Sequence, residues 1–241
     1  MKHIFLFITA LALSCTYLGA QDLSKILPDT IEDGFYQTRY GSMQIEGTFK
    51  NFKRDGDWHV YFENGQIHII EQYDQGKKDG LYIKISKRGY ISEQIMYKAG
   101  KINGRKMTFN PGGRLQLAET YKMGILNGDR KVYYENGRIQ EESVYKNGAK
   151  DGQSIWYGQD ANAIAVYNYH NGEFEGRQEV FYTNGNYKSF KSYKNNIAQG
   201  PYKEFYPNGK VKISGNYKNG NKTGKWTTYD ENGGIAEEVD Y

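Results

Sequence analysis

Hydrophobic and polar residues alternate in short runs along most of the chain, and this pattern repeats every 24 residues. Glycine stands at one fixed place in each of eight successive periods, and positions are numbered from it as position zero. Tyrosine follows at position seventeen in every period, and an aromatic or aliphatic residue fills positions five and eleven. The position-zero glycines are Gly56, Gly80, Gly104, Gly128, Gly152, Gly176, Gly200 and Gly224.

Each period predicts a β-hairpin. Asn-Gly occurs at positions eight and nine in five periods, between runs of strand-forming residues. The segment Tyr206-Pro207-Asn208-Gly209 favours a type I turn followed by a glycine bulge. That turn places position five opposite position eleven, and the alternation of side chains then predicts that positions five, eleven and seventeen share one face. The polar, glycine-rich segment from position eighteen to the next glycine predicts a loop.

These repeats predict an all-β protein, an elongated single-layer antiparallel meander of stacked 24-residue β-hairpins. No helical spacing of apolar residues occurs between Gln21 and Tyr241, although residues 22–33 are ambiguous. Residues 21–55 are interpreted as an N-terminal cap with a degenerate repeat, in which Met43 and Phe49 keep the positions of eleven and seventeen. Residues 56–241 then form eight repeats.

The first twenty residues have the pattern of a secretory signal peptide. The apolar stretch Ile4–Leu13 is too short to span a bilayer, and Leu18-Gly19-Ala20 offers a cleavage point. Alternatively, Ala12-Leu13-Ser14-Cys15 resembles a bacterial lipoprotein box, which would leave Cys15 as a lipid-bearing N-terminus. We therefore expect a secreted or periplasmic protein, or a lipoprotein anchored through Cys15. Because Cys15 is the only cysteine, no internal disulfide is expected.

Charge and candidate chemistry argue against an enzyme. The 32 Lys and Arg residues nearly balance 28 Asp and Glu residues, so no strong field exists to recruit nucleic acid. His59, His68 and His170 occupy three different positions of the repeat and have no cysteine beside them, so no metal site is predicted. Nucleophile motifs, phosphate-binding glycine loops and dinucleotide fingerprints do not occur, so neither catalytic residues nor a cofactor is predicted.

Two runs carry a family resemblance: residues 56–65, Gly-Asp-Trp-His-Val-Tyr-Phe-Glu-Asn-Gly, and residues 145–152, Tyr-Lys-Asn-Gly-Ala-Lys-Asp-Gly. They resemble the MORN repeat (membrane occupation and recognition nexus), and most closely its bacterial variant. The resemblance covers about residues 34–241 and implies a long single-layered antiparallel sheet of stacked hairpins. Bacterial chains of this type are often labelled as antitoxin components of toxin–antitoxin systems, which makes an antitoxin-like role one expectation. The family has no catalytic residues to transfer.

Position two is the candidate for ligand binding, because it varies between repeats while the tyrosines at position seventeen do not. It carries Trp58, Tyr82, Tyr202 and Trp226 towards the ends and Lys106, Arg130, Ser154 and Gln178 in the middle. The invariant tyrosines are interpreted as structural, since aromatic pairs across strands stabilise sheets. We predict a non-enzymatic extracytoplasmic scaffold or adaptor that binds another protein. The alternative is a carbohydrate or cell-envelope binding module that uses exposed aromatics, with a glycan or lipid as ligand.

Overall fold

The computed structural model describes residues 32–241, and every regular element in this range is a β-strand. The predicted signal segment, Cys15 and most of the ambiguous stretch 22–33 lie outside the described residues. The strands are β1 Gly34–Tyr40, β2 Met43–Lys50, β3 Lys53–Tyr61, β4 Ile67–Asp74, β5 Lys77–Lys78, β6 Gly80–Ile85, β7 Ile91–Lys98, β8 Lys101–Phe109, β9 Leu115–Lys122, β10 Ile125–Tyr133, β11 Ile139–Lys146, β12 Ala149–Tyr157, β13 Ala163–His170, β14 Glu173–Phe174, β15 Gly176–Phe181, β16 Tyr187–Lys194, β17 Ile197–Phe205, β18 Val211–Lys218, β19 Asn221–Tyr229 and β20 Ile235–Asp240.

The strands form one open antiparallel sheet in which each strand pairs with its neighbours in the chain. β4 pairs with both β5 and β6, and β13 pairs with both β14 and β15. In both places the first strand of a hairpin is interrupted and is therefore divided into a short and a long strand. Every other strand pairs with the next one along the chain, from β1–β2 to β19–β20. The predicted single-layer meander is therefore confirmed.

The Asn-Gly turns have the predicted type I geometry with a glycine bulge. In the first repeat the amide of Phe62 donates to the carbonyl of Gln66 at 2.8 Å, and Gly65 has a φ of 79°. Position five lies opposite position eleven, as Tyr61 does opposite Ile67. The third repeat departs from this turn. Gly112 has a φ of 104° there, which is the conformation of a type II turn and which a type I turn does not use at that position.

The second connection of each repeat is a tight turn, so the prediction of a loop from position eighteen onwards is wrong. Asn147 and Gly148 have φ angles of 51° and 86°, and Lys146 pairs directly with Ala149. Two consecutive residues with positive φ define a type I′ hairpin, whose twist matches that of the flanking strands. The next strand consequently begins at position twenty-one. The same dipeptide, Asn-Gly, thus makes different turns at the two edges of the sheet.

A ladder of side chains holds these second turns in place. The side chain at position twenty-three accepts a hydrogen bond from the backbone amide at position nineteen of the next turn. Asp79 accepts from Ala99 at 3.1 Å, and Asn127 accepts from Asn147 at 3.1 Å. The bond from the Ala99 amide, with Lys98 nearby, holds the pKa of Asp79 below its usual value. The other pairs are Asp55–Gln75, Asn103–Met123, Asp151–Asn171, Glu175–Asn195 and Gln199–Asn219.

The prediction that positions five, eleven and seventeen share one face is wrong. Tyr61 opposes Ile67, but Val60 opposes Ile69, so His68 is an extra residue in the second strand. Such a bulge reverses the alternation of side chains beyond it. The side of the sheet that carries the position-seventeen tyrosines is called the tyrosine face, and it also presents positions two, four, thirteen, fifteen and twenty-two. The side that carries positions one, three, five, eleven, fourteen and sixteen is called the opposite face.

The tightest hydrophobic packing lies on the tyrosine face near the N-terminal end. Phe49 and Trp58 are 1 % and 2 % exposed, and their rings meet edge to face at 5.1 Å. We call this cluster the first-repeat core, and it consists of Ile45, Phe49, Trp58, Val60, Ile69 and Tyr73. Because Phe49 and Ile45 come from β2, the degenerate repeat packs as a continuation of the array.

Candidate functional site

The four predicted site residues lie on the tyrosine face, where they form two separate pairs. Tyr82 packs against the first-repeat core that contains Trp58. At the other end the rings of Tyr202 and Trp226 stack at 5.5 Å, with 26° between their planes. Ten strand-to-strand steps separate Tyr82 from Tyr202, which corresponds to about 50 Å along the sheet. The structure therefore offers two aromatic patches rather than one continuous stripe.

The two tryptophans are buried, which removes the exposure that a stacking site for sugars requires. Trp58 is 2 % exposed and Trp226 is 6 % exposed. Burial also raises the pKa of Tyr202 to about 12, together with the neighbouring Glu204. Tyr82 and Tyr202 are only partly buried, so they remain the accessible members of the predicted set. Whether any of the four contacts a ligand stays a prediction.

Each tryptophan is buried because it lies over a glycine of the preceding strand. A Cβ atom at Gly47 would lie 2.2 Å from the Trp58 ring, and one at Gly215 would lie 2.2 Å from the Trp226 ring. Each indole N–H then donates to a backbone carbonyl, from Trp58 to Thr48 and from Trp226 to Asn216, both at 3.2 Å. The sequence carries a signal for this packing that the periodic pattern alone does not reveal. Glycine occupies position fifteen only at residues 47 and 215, eleven residues before each tryptophan.

The middle of the tyrosine face replaces these aromatics with an ionic network, which we call the central charged cluster. Arg130 contacts Glu119 at 3.3 Å and Glu141 at 3.0 Å, and Lys150 contacts Glu141 at 3.0 Å. Burial raises the pKa of Glu141, but the Ser143 hydroxyl and the cations of Lys150 and Arg130 outweigh it and hold the pKa below its usual value. The cluster comprises Glu119, Arg130, Glu141, Ser143, Lys150 and Ser154.

The position-seventeen tyrosines contact cations and aromatics of adjacent strands. The Lys222 ammonium lies 4.8 Å from the ring centre of Tyr241 and 4.4 Å from that of Trp226. Arg54 lies over Tyr73 in the same way and donates a hydrogen bond to its hydroxyl at 2.9 Å. On β14, Phe174 stands at the position of the cation, and its ring packs between the rings of Tyr169 and Tyr193. The tyrosines thus join neighbouring hairpins through position twenty-two, which supports their structural interpretation.

The opposite face carries an apolar patch in the second and third repeats, which we call the opposite-face patch. Ile70 pairs with Ile83, and Leu81 pairs with Met96, so these side chains adjoin across β4, β6 and β7. Met107 extends the patch on β8. None of these five residues is buried, and Met96 is 38 % exposed. The sheet has one layer, so no other described element covers this patch.

Two histidines lie near the first Asn-Gly turn, and each contacts neighbouring groups of the sheet. The Nδ1 atom of His68 lies 2.7 Å from the carbonyl oxygen of Ile85, and its ring packs on Phe62 at 4.2 Å. Burial lowers the pKa of His68. His59 packs beside Tyr61 on the opposite face. Within residues 32–241, no group of three or more His, Cys, Asp and Glu side chains could hold a metal ion.

Over the same residues, no helix has the length and apolar character to cross a membrane.

Comparison with known families finds the MORN repeat variant in four segments: residues 54–75, 126–147, 198–219 and 222–241. Each segment begins at position twenty-two, and the starts at 54, 126 and 198 are spaced by three periods of 24 residues. Each segment therefore contains the first strand of a hairpin with its position-zero glycine, the Asn-Gly turn and the strand that follows. None of the curated proteins compared with the chain matches it. The matches support a protein built from MORN-type repeats, in agreement with the resemblance seen in the sequence.

Proposed function

We propose that this protein is a non-enzymatic scaffold or adaptor that binds another protein along its sheet. The observation that carries the proposal is the opposite-face patch, where Ile70, Leu81, Ile83, Met96 and Met107 adjoin on an uncovered sheet. Contiguous exposed apolar surface on a soluble protein typically marks an interaction site. MORN-type repeats are generally binding modules for proteins or membranes, which agrees with this role. If the antitoxin label of the bacterial variant applies, the bound protein is a toxin.

We further propose that the protein acts outside the cytoplasm. Support comes from the charged start, the short apolar stretch and the small residues before Gln21, which together have the form of a secretory signal. Mass spectrometry of the protein purified from its own host is the direct measurement. A mature chain that starts at Gln21 supports secretion, and one that starts at a lipid-modified Cys15 supports anchoring. An intact N-terminus in the cytosolic fraction would refute both.

A matched pair of variants tests the scaffold role. Met107→Glu places a carboxylate in the opposite-face patch, and Lys203→Glu places one at the same repeat position in the polar seventh repeat. Cell-envelope extract is passed over immobilised wild-type protein and over each variant. A protein retained by the wild type and by Lys203→Glu, but lost with Met107→Glu, supports the proposal. Equal retention by all three chains would refute the role of this patch.

The glycan-binding alternative has less support, because two of its four aromatics are buried under neighbouring side chains. It retains Tyr82 and Tyr202 as accessible rings. Soluble envelope glycans titrated into the protein distinguish the two functions through tryptophan and tyrosine fluorescence. Saturable quenching that is lost in Tyr202→Ala would favour the glycan, and the absence of any quenching would favour the protein-binding role.

A further inference from the structure

The two long edges of the sheet differ in charge. The edge formed by positions eighteen to twenty-one, counted from Lys50 to Asn221, contains nine lysines and two acids, which gives a net charge of nine minus two or +7. At the edge formed by positions six to ten, counted from Thr38 to Gly234, there are six Lys and Arg residues and five acids, giving six minus five or +1. The whole chain carries only +4, so the first edge, which we call the lysine edge, holds more than the entire net charge.

Lysines recur at regular intervals along the lysine edge, and hydrogen bonds hold the turns that carry them in place. Position eighteen is exposed in every repeat, and it is lysine at residues 50, 98, 122, 146, 194 and 218. The type I′ turns and the position-twenty-three ladder fix each turn to its neighbour. Successive turns are separated by two strands, which corresponds to about 10 Å. The backbone that carries these lysines therefore needs little reorganisation on binding.

Cations at the two edges also differ in their partners. At the Asn-Gly edge, Arg114 donates to the carbonyl oxygen of Glu135 at 3.0 Å, and Lys210 donates to that of Asn232 at 3.1 Å. At the lysine edge, Lys98 has one partner, Asp79 at 3.2 Å. Among residues 32–241, no carboxylate lies within ion-pair distance of Lys122 or Lys146. These ammonium groups are available to a ligand.

The centre of the lysine edge combines charge with exposed apolar side chains. The turns at residues 98–101, 122–125 and 146–149 contain four lysines and no acid. Met123 and Ile125, in the middle turn, are 42 % and 52 % exposed. The strands behind these turns present Met96 and Val144, which are 38 % and 41 % exposed on the opposite face. A purely ionic polymer would leave these apolar groups unused, whereas an acidic protein segment with an apolar anchor matches both features.

We propose that the three turns at residues 98–101, 122–125 and 146–149 bind an acidic segment of a partner protein, with Met123 and Ile125 receiving an apolar side chain. This inference rests on the proposed scaffold function and specifies the chemistry of the partner. The lysines supply attraction at a distance and selectivity for acidic sequences. The apolar pair fixes the position of the bound segment along the edge.

The test uses the full mature chain and a short fluorescent peptide in which glutamate alternates with serine around a central leucine pair. The edge variant is Lys98→Glu with Lys122→Glu and Lys146→Glu. The control is Lys87→Glu with Arg88→Glu and Lys210→Glu, which changes the net charge equally at the Asn-Gly edge. We expect fluorescence anisotropy to show binding to the wild type and control, and at least about tenfold weaker binding to the edge variant. Raising the salt concentration should weaken the binding.

Two further arms examine the class of ligand. Ile125→Ser should weaken binding of the leucine peptide and leave a leucine-free version unchanged. A peptide with glutamine in place of glutamate should not bind. Equal binding to the wild type and edge variant, no binding of the acidic peptide, or preferential binding of polyphosphate or of anionic phospholipid vesicles would overturn the proposal. Retention of an envelope protein by the edge variant, with its loss in Met107→Glu, would overturn this inference alone and leave the scaffold function standing.

Discussion

The first-repeat core and the central charged cluster occupy equivalent positions on the tyrosine face, yet they are built from opposite chemistry. In the first, Trp58 at position two fills the space above Gly47 at position fifteen of the preceding strand. In the second, Ser154 occupies position two and pairs with Ser143 at position fifteen. Both serines are buried: Ser154 is 0 % exposed and Ser143 is 3 % exposed.

The comparison shows which parts of the repeat are interchangeable. The backbone is set by the turns, the position-zero glycine and the tyrosine at position seventeen, which recur in both regions. Position two tolerates a tryptophan or a serine because cross-strand position fifteen changes with it, from Gly47 to Ser143. Packing volume holds one region together, and charge pairs on a hydrogen-bonded sheet hold the other.

The largest expected effect comes from removing the ring of the first-repeat core. Trp58→Ala should destabilise the N-terminal repeats by about 3–5 kcal/mol, because it leaves a cavity above Gly47 and removes contacts with Phe49. Hydrogen exchange of the β2 to β4 amides measures the loss locally, which suits an array that need not unfold in one step. Ser154→Ala, at the same repeat position, should cost almost nothing because the hydroxyl has no partner. Similar costs for the two changes would contradict the comparison.

The central charged cluster should instead respond to charge removal and to acid. Arg130→Met leaves Glu119 and Glu141 without their shared cation, and we expect a loss of about 2 kcal/mol in the repeats around β10 and β11 at neutral pH. Hydrogen exchange in those strands provides the measurement.

The pH dependence of the same cluster gives an independent check. The pKa of Glu141 is lower in the folded chain than its ordinary value of 4.5, so its contribution is present above that value and is lost as the pH falls through the folded pKa. Protection of the β10 and β11 amides should therefore decline below about pH 4.5 in the wild type. Glu141→Gln should flatten this decline, and an unchanged acid profile in that variant would rule out this carboxylate as its source.

The turn of the third repeat tests a departure in the backbone rather than in side chains. Gly112 has a φ of 104°, so Gly112→Val should destabilise the β8–β9 hairpin by about 1–3 kcal/mol. Gly209→Val, at the bulge position of a type I turn, should cost a similar amount because its φ is 85°. Urea titration of the two variants compares them directly. A markedly smaller loss for Gly112→Val would indicate a type I turn in the third repeat.

The smallest effect is expected at the turn between β2 and β3, the two strands that carry Phe49 and Trp58 of the first-repeat core. Phe52 takes the place that glycine has in most second turns, with a φ of 59° and a side chain that is 59 % exposed. Phe52→Gly should relieve this strain and stabilise β2–β3 by up to about 1 kcal/mol. The gain is read from exchange of the Lys50 and Lys53 amides. A destabilised variant would show that the Phe52 side chain contributes packing of its own.

Periodicity in the sequence was sufficient to predict the meander, the Asn-Gly turns and the pairing of position five with position eleven. The same periodicity misplaces the tyrosines relative to position five, because a single extra residue such as His68 is invisible in a strictly periodic pattern. It also treated the second connection as a loop, although Asn147 and Gly148 suit a two-residue hairpin. The polar, glycine-rich composition of this segment does not show at which residue the next strand begins.

The chain by itself determined the 24-residue unit, its glycines and tyrosines and the open antiparallel sheet, because turn chemistry and side-chain alternation act locally. Only the tertiary structure decided which side chains share a face and which are covered. Burial of Trp58, for example, depends on Gly47 from another strand. Such properties arise from contacts between strands, and a bulge of one residue changes all of them at once.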